Sequence, residues 1–326
     1  MDLNDSGLIP EGVADLVDYV DGITLPPAIK KSLWKAIGDL IAGAVDVPVA
    51  YLESKAQQIR MEAQGLAFIT KKSAEAAAQK FGGDDQLVER AVSHFGQKLF
   101  KEQINREKVV AQTIEELKND PPKQDSGSEI DDDWLSMFSR IAEQKSNQDV
   151  QLFLAKILAG EIRKPGSYSP QTIQILSTLS QNIAQLFQAF CDASYFMPLV
   201  NQAGLITDPF GNAGSNALTP VGLSYSNLTA LQDAGLIQHD LNAWREIPPI
   251  LFTMPFSIGG KTYNMIPNGI SQQDLISLKP KIKVINFTEP GLQLRSVLHL
   301  GTNPTYETQI LSWLKTQHKL IPISIS

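Results

Sequence analysis

The chain has 326 residues, which corresponds to about two domains of ordinary size. Apolar residues make up 43% and charged residues 19%, a balance that supports a packed core and excludes a wholly disordered chain. The net charge of −7 argues against a broad positive surface for nucleic acid or anionic lipid, although a local patch could still bind either.

Cysteine usage and the start of the chain bear on the cellular compartment. Cys191 is the only cysteine, so an intramolecular disulfide and a zinc site built from several thiolates are both excluded. Residues 1–10 are acidic and lack the pattern of a secretory signal, and no run of 18 apolar residues marks a membrane span. The sequence therefore predicts a cytoplasmic protein.

The first predicted helix covers residues 28–46 and has a marked apolar stripe, with Lys30, Lys31 and Lys35 on other faces. The stripe and its aromatic neighbour comprise Ile29, Leu33, Trp34, Ile37, Leu40 and Ile41. Two interpretations fit this pattern. The stripe packs in a core or an oligomer seam, or it contacts a membrane surface or a partner groove.

Two further helices follow, over residues 49–80 and from Asp84 or Asp85 to about Asn119, and Pro121-Pro122 end the second. We predict an N-terminal helical region over residues 1–119. The polar segment 120–133, rich in Pro, Gly and Asp, is a predicted linker. Apolar residues at helical spacing then predict a central helical bundle over residues 134–207.

Residues 208–326 have a mixed α+β character. A predicted helix, Tyr225–Asp233, ends at Gly235, and strands are predicted over residues 250–256, 261–266 and 281–287. Gly259-Gly260 suits a two-residue hairpin turn between the first two strands. This order resembles a winged helix, so the predicted fold is mainly α, with a winged-helix-like C-terminal α+β domain.

Motifs for chemistry are weak throughout. Gly260-Lys261-Thr262 lacks the first glycine of a phosphate loop and precedes a strand instead of a helix. The Asp131–Asp133 triplet suits a helix start better than a cation site. The four histidines have no metal-ligand spacing, and Cys191 follows an apolar helical run. We therefore assign no catalytic, cofactor-binding or metal-binding residue and no small-molecule ligand, and we expect a non-enzymatic protein.

Nucleic-acid binding is an alternative function for the C-terminal part. The predicted helix Tyr225–Asp233 carries no Lys or Arg, so phosphate contacts would come from lysines in and near the strands. These candidate contacts are Lys261, Lys279, Lys281 and Lys283. A membrane-active effector that uses the helix over residues 28–46 is a further alternative.

A resemblance to a known family rests on the middle of the chain. Trp134, the run over residues 152–162, the stretch from Lys164 to Ser169 and Thr172 resemble a bacterial family of unknown function. They are similar also to the "alpha" group of abortive-infection proteins, over about residues 130–300. The resemblance implies a role in bacterial antiviral defence and supplies no catalytic residues. We expect an interaction protein, a sensor or effector component, that self-associates or binds a protein partner.

Overall fold

The structure is a computed structural model that describes residue 20 and residues 23–42, 85–122 and 128–325. The chain divides into two compact units, residues 1–170 and residues 171–326. Each unit is described by itself. The helix predicted over residues 49–80 and the start of the chain lie outside the described residues, as do residues 43–46 and residues 123–127 of the predicted linker.

The first unit is helical in its described part. Helix α1, Pro27–Ile37, is followed directly by one π-helical turn, Gly38–Ala42. The helices are α1 Pro27–Ile37, α2 Asp85–Asn119, α3 Asp132–Gln144 and α4 Gln148–Arg163. Asp131 begins α3 by accepting a hydrogen bond from the Trp134 amide at 2.9 Å, which confirms the predicted helix start.

The C-terminal half of α2 packs against α3 and α4. Its buried apolar side chains are Val109, Val110, Ile114 and Leu117. Polar side chains fix the two ends of this contact. Asn105 donates to the Glu143 carbonyl at 2.8 Å, and Arg163 donates to the carbonyls of Glu116 and Asp120 at the end of α2. These contacts add hydrogen bonds to carbonyls at the C-terminal ends of α2 and α3, where intrahelical donors run out.

The second unit combines helices with one sheet. Its helices are α5 Pro170–Thr178, which begins at the unit border, α6 Gln181–Asp192, α7 Tyr225–Asp233, α8 Gln272–Ser277, α9 Glu289–Arg295 and α10 Pro304–His318. Its strands are β1 Tyr195–Met197, β2 Gln202–Ile206, β3 Trp244–Glu246, β4 Phe256–Ile258, β5 Lys261–Pro267, β6 Lys281–Asn286 and β7 Leu320–Ile325.

The seven strands form one antiparallel sheet in the order β3-β6-β2-β1-β4-β5-β7. Two tight connections set the register at its centre. Asn201, in the left-handed conformation at φ 47°, joins β1 to β2, and Gly259-Gly260 joins β4 to β5. The outer strands β3 and β7 form the two edges of the sheet.

Different helices cover the two faces of the sheet. On one face, Glu307 of α10 accepts hydrogen bonds from Lys261 and Tyr263 of β5, and the fully buried Tyr306 accepts one from the Ile206 amide of β2 through its hydroxyl. On the other face, Phe187 and Phe190 of α6 pack edge-to-face against Phe287, which follows β6. The sheet core therefore lies between α10 and α6.

Mixed α+β architecture with a C-terminal sheet is thus confirmed. The predicted helix Tyr225–Asp233 is also confirmed, with Ser224 as its N-cap and Gly235 at φ 73° after its end. The predicted hairpin at Gly259-Gly260 is the β4–β5 turn, and it belongs to the seven-stranded sheet instead of forming a separate two-stranded wing.

The strand predicted over residues 250–256 is wrong in most of its length. Residues Pro249–Thr253 form a 3₁₀ helix, and the strand begins only at Phe256. The cause is the Pro248-Pro249 pair, because proline fixes φ near the helical value and suits the first position of a helical turn. The strands β1 and β2 lie within the range predicted as a helical bundle, and the predicted domain boundaries stay a prediction.

Candidate functional site

The apolar stripe of α1 lies in the interior of the first unit. Its members Ile29, Leu33, Trp34, Ile37 and Leu40 are buried, and Ile41 is half-buried. Burial fits the interpretation of the stripe as a core face. A membrane or partner role stays a prediction, and it requires that α1 leaves this packing.

The lysines beside this stripe are also engaged in the first unit. Lys31 pairs with Glu129 at 2.6 Å, and Lys35 donates to the Ile130 carbonyl at 2.7 Å. Both contacts attach α1 to the segment that precedes α3. A lipid surface would have to compete with these contacts for the same charges.

Part of the stretch that carries the family resemblance forms a closed turn at the C-terminal end of α4. We call residues 160–168 the Glu161 turn. The buried Glu161 carboxylate accepts hydrogen bonds from the amides of Gly166 at 2.6 Å and Tyr168 at 3.0 Å. Burial raises the pKa of Glu161, and the amide hydrogen bonds offset only part of that effect. A concave set of backbone amides of this kind binds anions, and here the chain supplies its own.

Two further contacts seal the Glu161 turn. Trp134 donates from Nε1 to the Tyr168 carbonyl at 2.7 Å and stacks on Phe138 with a centroid distance of 5.2 Å. Gly160 lies under the Tyr168 ring, where a Cβ atom would approach the hydroxyl to 2.7 Å. Trp134, Glu161 and Tyr168, which are among the residues of the resemblance, therefore come together, and what they build is a packing arrangement.

The four lysines proposed for nucleic acid do not form one patch. Lys261 donates to both Glu307 carboxylate oxygens at 2.9 and 3.0 Å, on the face covered by α10. Although partial burial alone would raise it, hydrogen bonds from Tyr263 and Lys261 lower the pKa of Glu307. The charge of the exposed Lys261 is therefore compensated by the Glu307 carboxylate of the same unit.

The other three lysines lie at the β3 edge of the sheet, with an aromatic residue that the sequence analysis missed. Lys283 lies 5.0 Å from the centre of the Trp244 ring, and Lys281 is the register partner of Glu246. Trp244 is 56% exposed, although tryptophan is mostly buried in proteins. We call Trp244, Lys279, Lys281 and Lys283 the basic edge. An exposed tryptophan on a three-residue strand leaves little signal in a sequence.

The Gly259-Gly260 tip is packed against backbone. The Gly259 amide donates to the Ser194 carbonyl at 2.9 Å, and the Gly260 amide donates to the Gly301 carbonyl at 2.8 Å. A Cβ atom at Gly260 would lie 2.4 Å from the Leu300 carbonyl oxygen. Both amides are thus taken by protein carbonyls, which removes them as donors to a phosphate.

Side chains with catalytic potential are buried or dispersed in the second unit. Cys191 is fully buried, and burial raises the pKa of its thiol far above the usual range. Nearby, the buried Arg295 donates to the Ser194 hydroxyl at 3.2 Å and lies over the Phe196 ring. In the described part of the chain, no three histidine, cysteine, aspartate or glutamate side chains are arranged to hold a metal ion.

Among the helices in the described ranges, none combines the length and the apolar character that a bilayer crossing requires.

One helical segment of the first unit differs from the rest in exposure. In the N-terminal half of α2, every side chain from residue 90 to residue 99 whose burial is described is exposed. Arg90, His94 and Lys98 are spaced four residues apart and share one face of the helix, and Leu99 is 43% exposed beside them. We call residues 90–99 the exposed segment of α2.

These features define an α+β protein in which packing accounts for the most distinctive sequence motif. Residues 89–311 match a family described as proteins of unknown function, DUF2806, which covers more than half of the chain. The chain therefore belongs to the DUF2806 family. No curated protein and no solved structure matches it. The family match includes the Glu161 turn and the basic edge, and it excludes α1 and β7.

Proposed function

We propose that this protein is a non-enzymatic interaction protein that presents the exposed segment of α2 to a protein partner or to a second copy. The supporting observation is the contrast within one helix. Residues 105–117 of α2 supply buried side chains to the first unit, whereas the described side chains of residues 90–99 are exposed. One half of the helix is anchored, and the described side chains of residues 90–99 in the other half are displayed.

The geometry of α2 suits presentation to a partner. Ten helical residues extend about 15 Å, which is long enough to offer three turns to a groove or to another helix. Arg90 and Lys98, both exposed, would favour an acidic surface on that partner, because opposite charges accelerate and orient association, and Lys98 would exchange its pairing with Glu102 at 3.7 Å. Hydrogen bonds from Asn105 of α2 to α3 and from Arg163 of α4 to the end of α2 hold the anchored half in place. They thereby fix the direction of the exposed segment.

The biological setting that we propose is bacterial antiviral defence, inside the cell, as a sensor or effector component. The support for this part is the resemblance of residues 130–300 to abortive-infection proteins. It is an association of sequences, so it carries less weight than the geometry of α2.

Site-specific photo-crosslinking in cells tests the interaction. A photoreactive amino acid at position 94 should give a protein adduct of defined mass, whereas the same amino acid at Thr316, an exposed position on α10, should not. The double variant R90E/K98E should lose the adduct, and K315E, a charge reversal at another exposed helical lysine, should keep it. Absence of an adduct at position 94 would contradict the proposal.

Phage challenge tests the setting. Cells that carry the wild-type gene should form fewer plaques than cells that carry R90E/K98E, provided both proteins are present in equal amounts. Equal plaque numbers with and without the wild-type gene would reject the defence role and leave the interaction itself standing.

Nucleic-acid binding is a second candidate, and the basic edge is the observation in its favour. An exposed aromatic ring next to lysines suits a stacked base and its phosphate. A winged-helix regulator would instead rely on the β4–β5 tip, whose amides are already bonded. Quenching of Trp244 fluorescence by single-stranded or duplex oligonucleotides at two salt concentrations tests this candidate, with W244F and K281E as variants. Unchanged fluorescence with both probes would exclude it.

A further inference from the structure

A buried arginine in the second unit carries a charge that no described acidic group balances. Arg295, the last residue of α9, is only 6% exposed. Its Nε atom donates to the Ser194 hydroxyl at 3.2 Å, and its guanidinium lies 5.0 Å from the centre of the Phe196 ring. The buried Nη2 atom has no hydrogen-bond partner among the described residues. One end of the guanidinium is therefore fixed, and the Nη2 end keeps its donors unused.

The acidic and thiol groups at the end of α6 do not neutralise Arg295. The Asp192 carboxylate accepts hydrogen bonds from the Gly301 amide at 2.7 Å and from the Gln188 side chain at 2.8 Å. Burial raises the pKa of the Cys191 thiol, so that group stays neutral. Across the described ranges, no carboxylate forms an ion pair with Arg295. A buried charge without a partner is costly, so an anion that reached it would be bound favourably.

Helix dipoles explain how this arginine is held in the interior. Arg295 ends α9, and its partner Ser194 donates to the Cys191 carbonyl at 2.7 Å, at the C-terminal end of α6. The partial negative charge at the C-terminal end of a helix favours a cation. The dipoles offset part of the charge, but they offer no acceptor to Nη2.

The ring beneath the guanidinium belongs to a partly exposed row across the sheet. Phe196 of β1 and its register partner Ser257 of β4 are both half-buried. Register partners of an antiparallel pair point to the same face. The row continues through the half-buried Thr262 of β5 to Ile325 of β7, which is 40% exposed. A small molecule on this row would contact aromatic and aliphatic carbon and two hydroxyl groups.

We propose that Arg295 binds a small-molecule carboxylate that has an apolar body, with the carboxylate at Nη2 and the apolar body on the Phe196 ring. A carboxylate fits better than a phosphate dianion, because one guanidinium balances one negative charge and matches the two carboxylate oxygens. Lys261, which would be a second cation, pairs with Glu307 on the opposite face of the sheet. The proposal goes beyond the interaction assigned to α2, because the site lies in the other unit and shares no residue with it.

Thermal unfolding of the full chain with benzoate tests the site. Benzoate should raise the unfolding temperature of the wild type as its concentration rises, because it binds the folded state. Benzamide has the same ring without the charge and should have no effect, and neither should sodium chloride at equal ionic strength. R295M should weaken the binding of benzoate by at least about tenfold. R140M is the matched control, because Arg140 is an exposed arginine of α3, and it should keep the wild-type response.

A tethered carboxylate tests the same site without an added ligand. S257E places a carboxyl group next to Phe196, on the face over which Arg295 lies. It should raise the unfolding temperature of the wild type and abolish the response to benzoate. In R295M the same substitution should lower the unfolding temperature, because the carboxylate then has no cation. S257Q, which has nearly the same shape and no charge, should produce neither effect.

The outcomes of these measurements decide the proposal. Equal responses to benzoate in wild type and R295M overturn it, and so does a benzoate response no larger than that to chloride. A response to inorganic phosphate without one to benzoate overturns the carboxylate class. R295M should fold, because an apolar residue in place of an unpaired buried charge is often neutral or stabilising, and circular dichroism checks this. If R295M does not fold, a failure of S257E to stabilise the protein relative to S257Q overturns the proposal.

Discussion

The Glu161 turn differs in almost every respect from the exposed isoleucines Ile266, Ile321, Ile323 and Ile325 of β5 and β7, which we call the isoleucine row. The turn lies within the stretch that carries the family resemblance, yet its Glu161 and Tyr168 side chains are buried, and the Glu161 carboxylate is bonded to backbone amides of the turn itself. The row consists of four ordinary isoleucines on two strands, and each is at least 39% exposed. One region is closed and the other is open.

This difference shows that a distinctive sequence motif can mark a structural constraint instead of a binding surface. A glycine under an aromatic ring and a carboxylate bonded to backbone amides are needed because the turn allows few alternatives. An exposed sheet face tolerates many different side chains, so it leaves a weaker signal in the sequence. Motif strength therefore indicates structural constraint here, and exposure indicates the surfaces available for binding.

The largest expected effect tests whether the Glu161 turn is structural. E161A should lower the free energy of unfolding by about 3 kcal/mol, because the amides of Gly166 and Tyr168 lose their acceptor in a partly buried turn. E161Q keeps one acceptor oxygen and should cost about half as much. Urea unfolding measures both. A stable E161A protein with impaired partner binding would contradict a structural role and show that the turn is a binding surface.

An intermediate effect tests the β4–β5 tip. G260A should lower the free energy of unfolding by about 2 kcal/mol, because its Cβ atom would collide with the rigid backbone carbonyl of Leu300. G96A is the control, since nothing in the described residues lies within 4 Å of a Cβ at that helical position. It should leave stability unchanged or raise it by up to about 1 kcal/mol. Equal thermal stability of G260A and wild type would contradict the close packing of the β4–β5 tip against the Leu300 carbonyl.

The smallest effect distinguishes the two units by pH. The pKa of Glu161 is raised by burial, so its contribution to stability is present below its ordinary pKa of 4.5 and is lost as pH rises through the higher folded value. The pKa of Glu307 is lowered by Tyr263 and Lys261 against the effect of partial burial. Its contribution is present above 4.5 and is lost as pH falls through the lower folded value.

Urea unfolding of wild type, E161Q and E307Q between pH 3 and pH 8 checks these opposite signs. As pH falls, the stability of wild type should rise relative to E161Q and fall relative to E307Q. Two curves with the same slope would contradict the assignment of one carboxylate to a desolvated site and the other to a charge-paired site.

Local signals in the sequence were sufficient for several elements of the fold. Asp131 at the start of α3, Gly235 after the end of α7 and the Gly259-Gly260 turn all occur where the sequence predicts them. Caps and tight turns depend on a few adjacent residues, so one sequence is enough to recognise them.

Elements that depend on distant partners were not predicted. The strands β1 and β3 have three residues each and are held by neighbours on the sheet, so their own sequences carry little strand signal. In β7, Leu320 and Pro322 alternate with Ile321 and Ile323, and both sets are apolar. Alternation therefore could not tell which face is buried. For the same reason the sequence revealed neither the isoleucine row nor the exposed Trp244.

The pairing of β7 also has a consequence for how the sheet is completed. Its register joins Pro267 to Leu320 and Thr262 to Ile325, which are 53 and 63 residues apart. Contacts of such long sequence separation form slowly, because a long loop must close before they contribute. On the ribosome, β5 therefore emerges well before its outer neighbour. During that interval its edge is a template for the wrong strand, and a chaperone that shields it would raise the yield of folded protein.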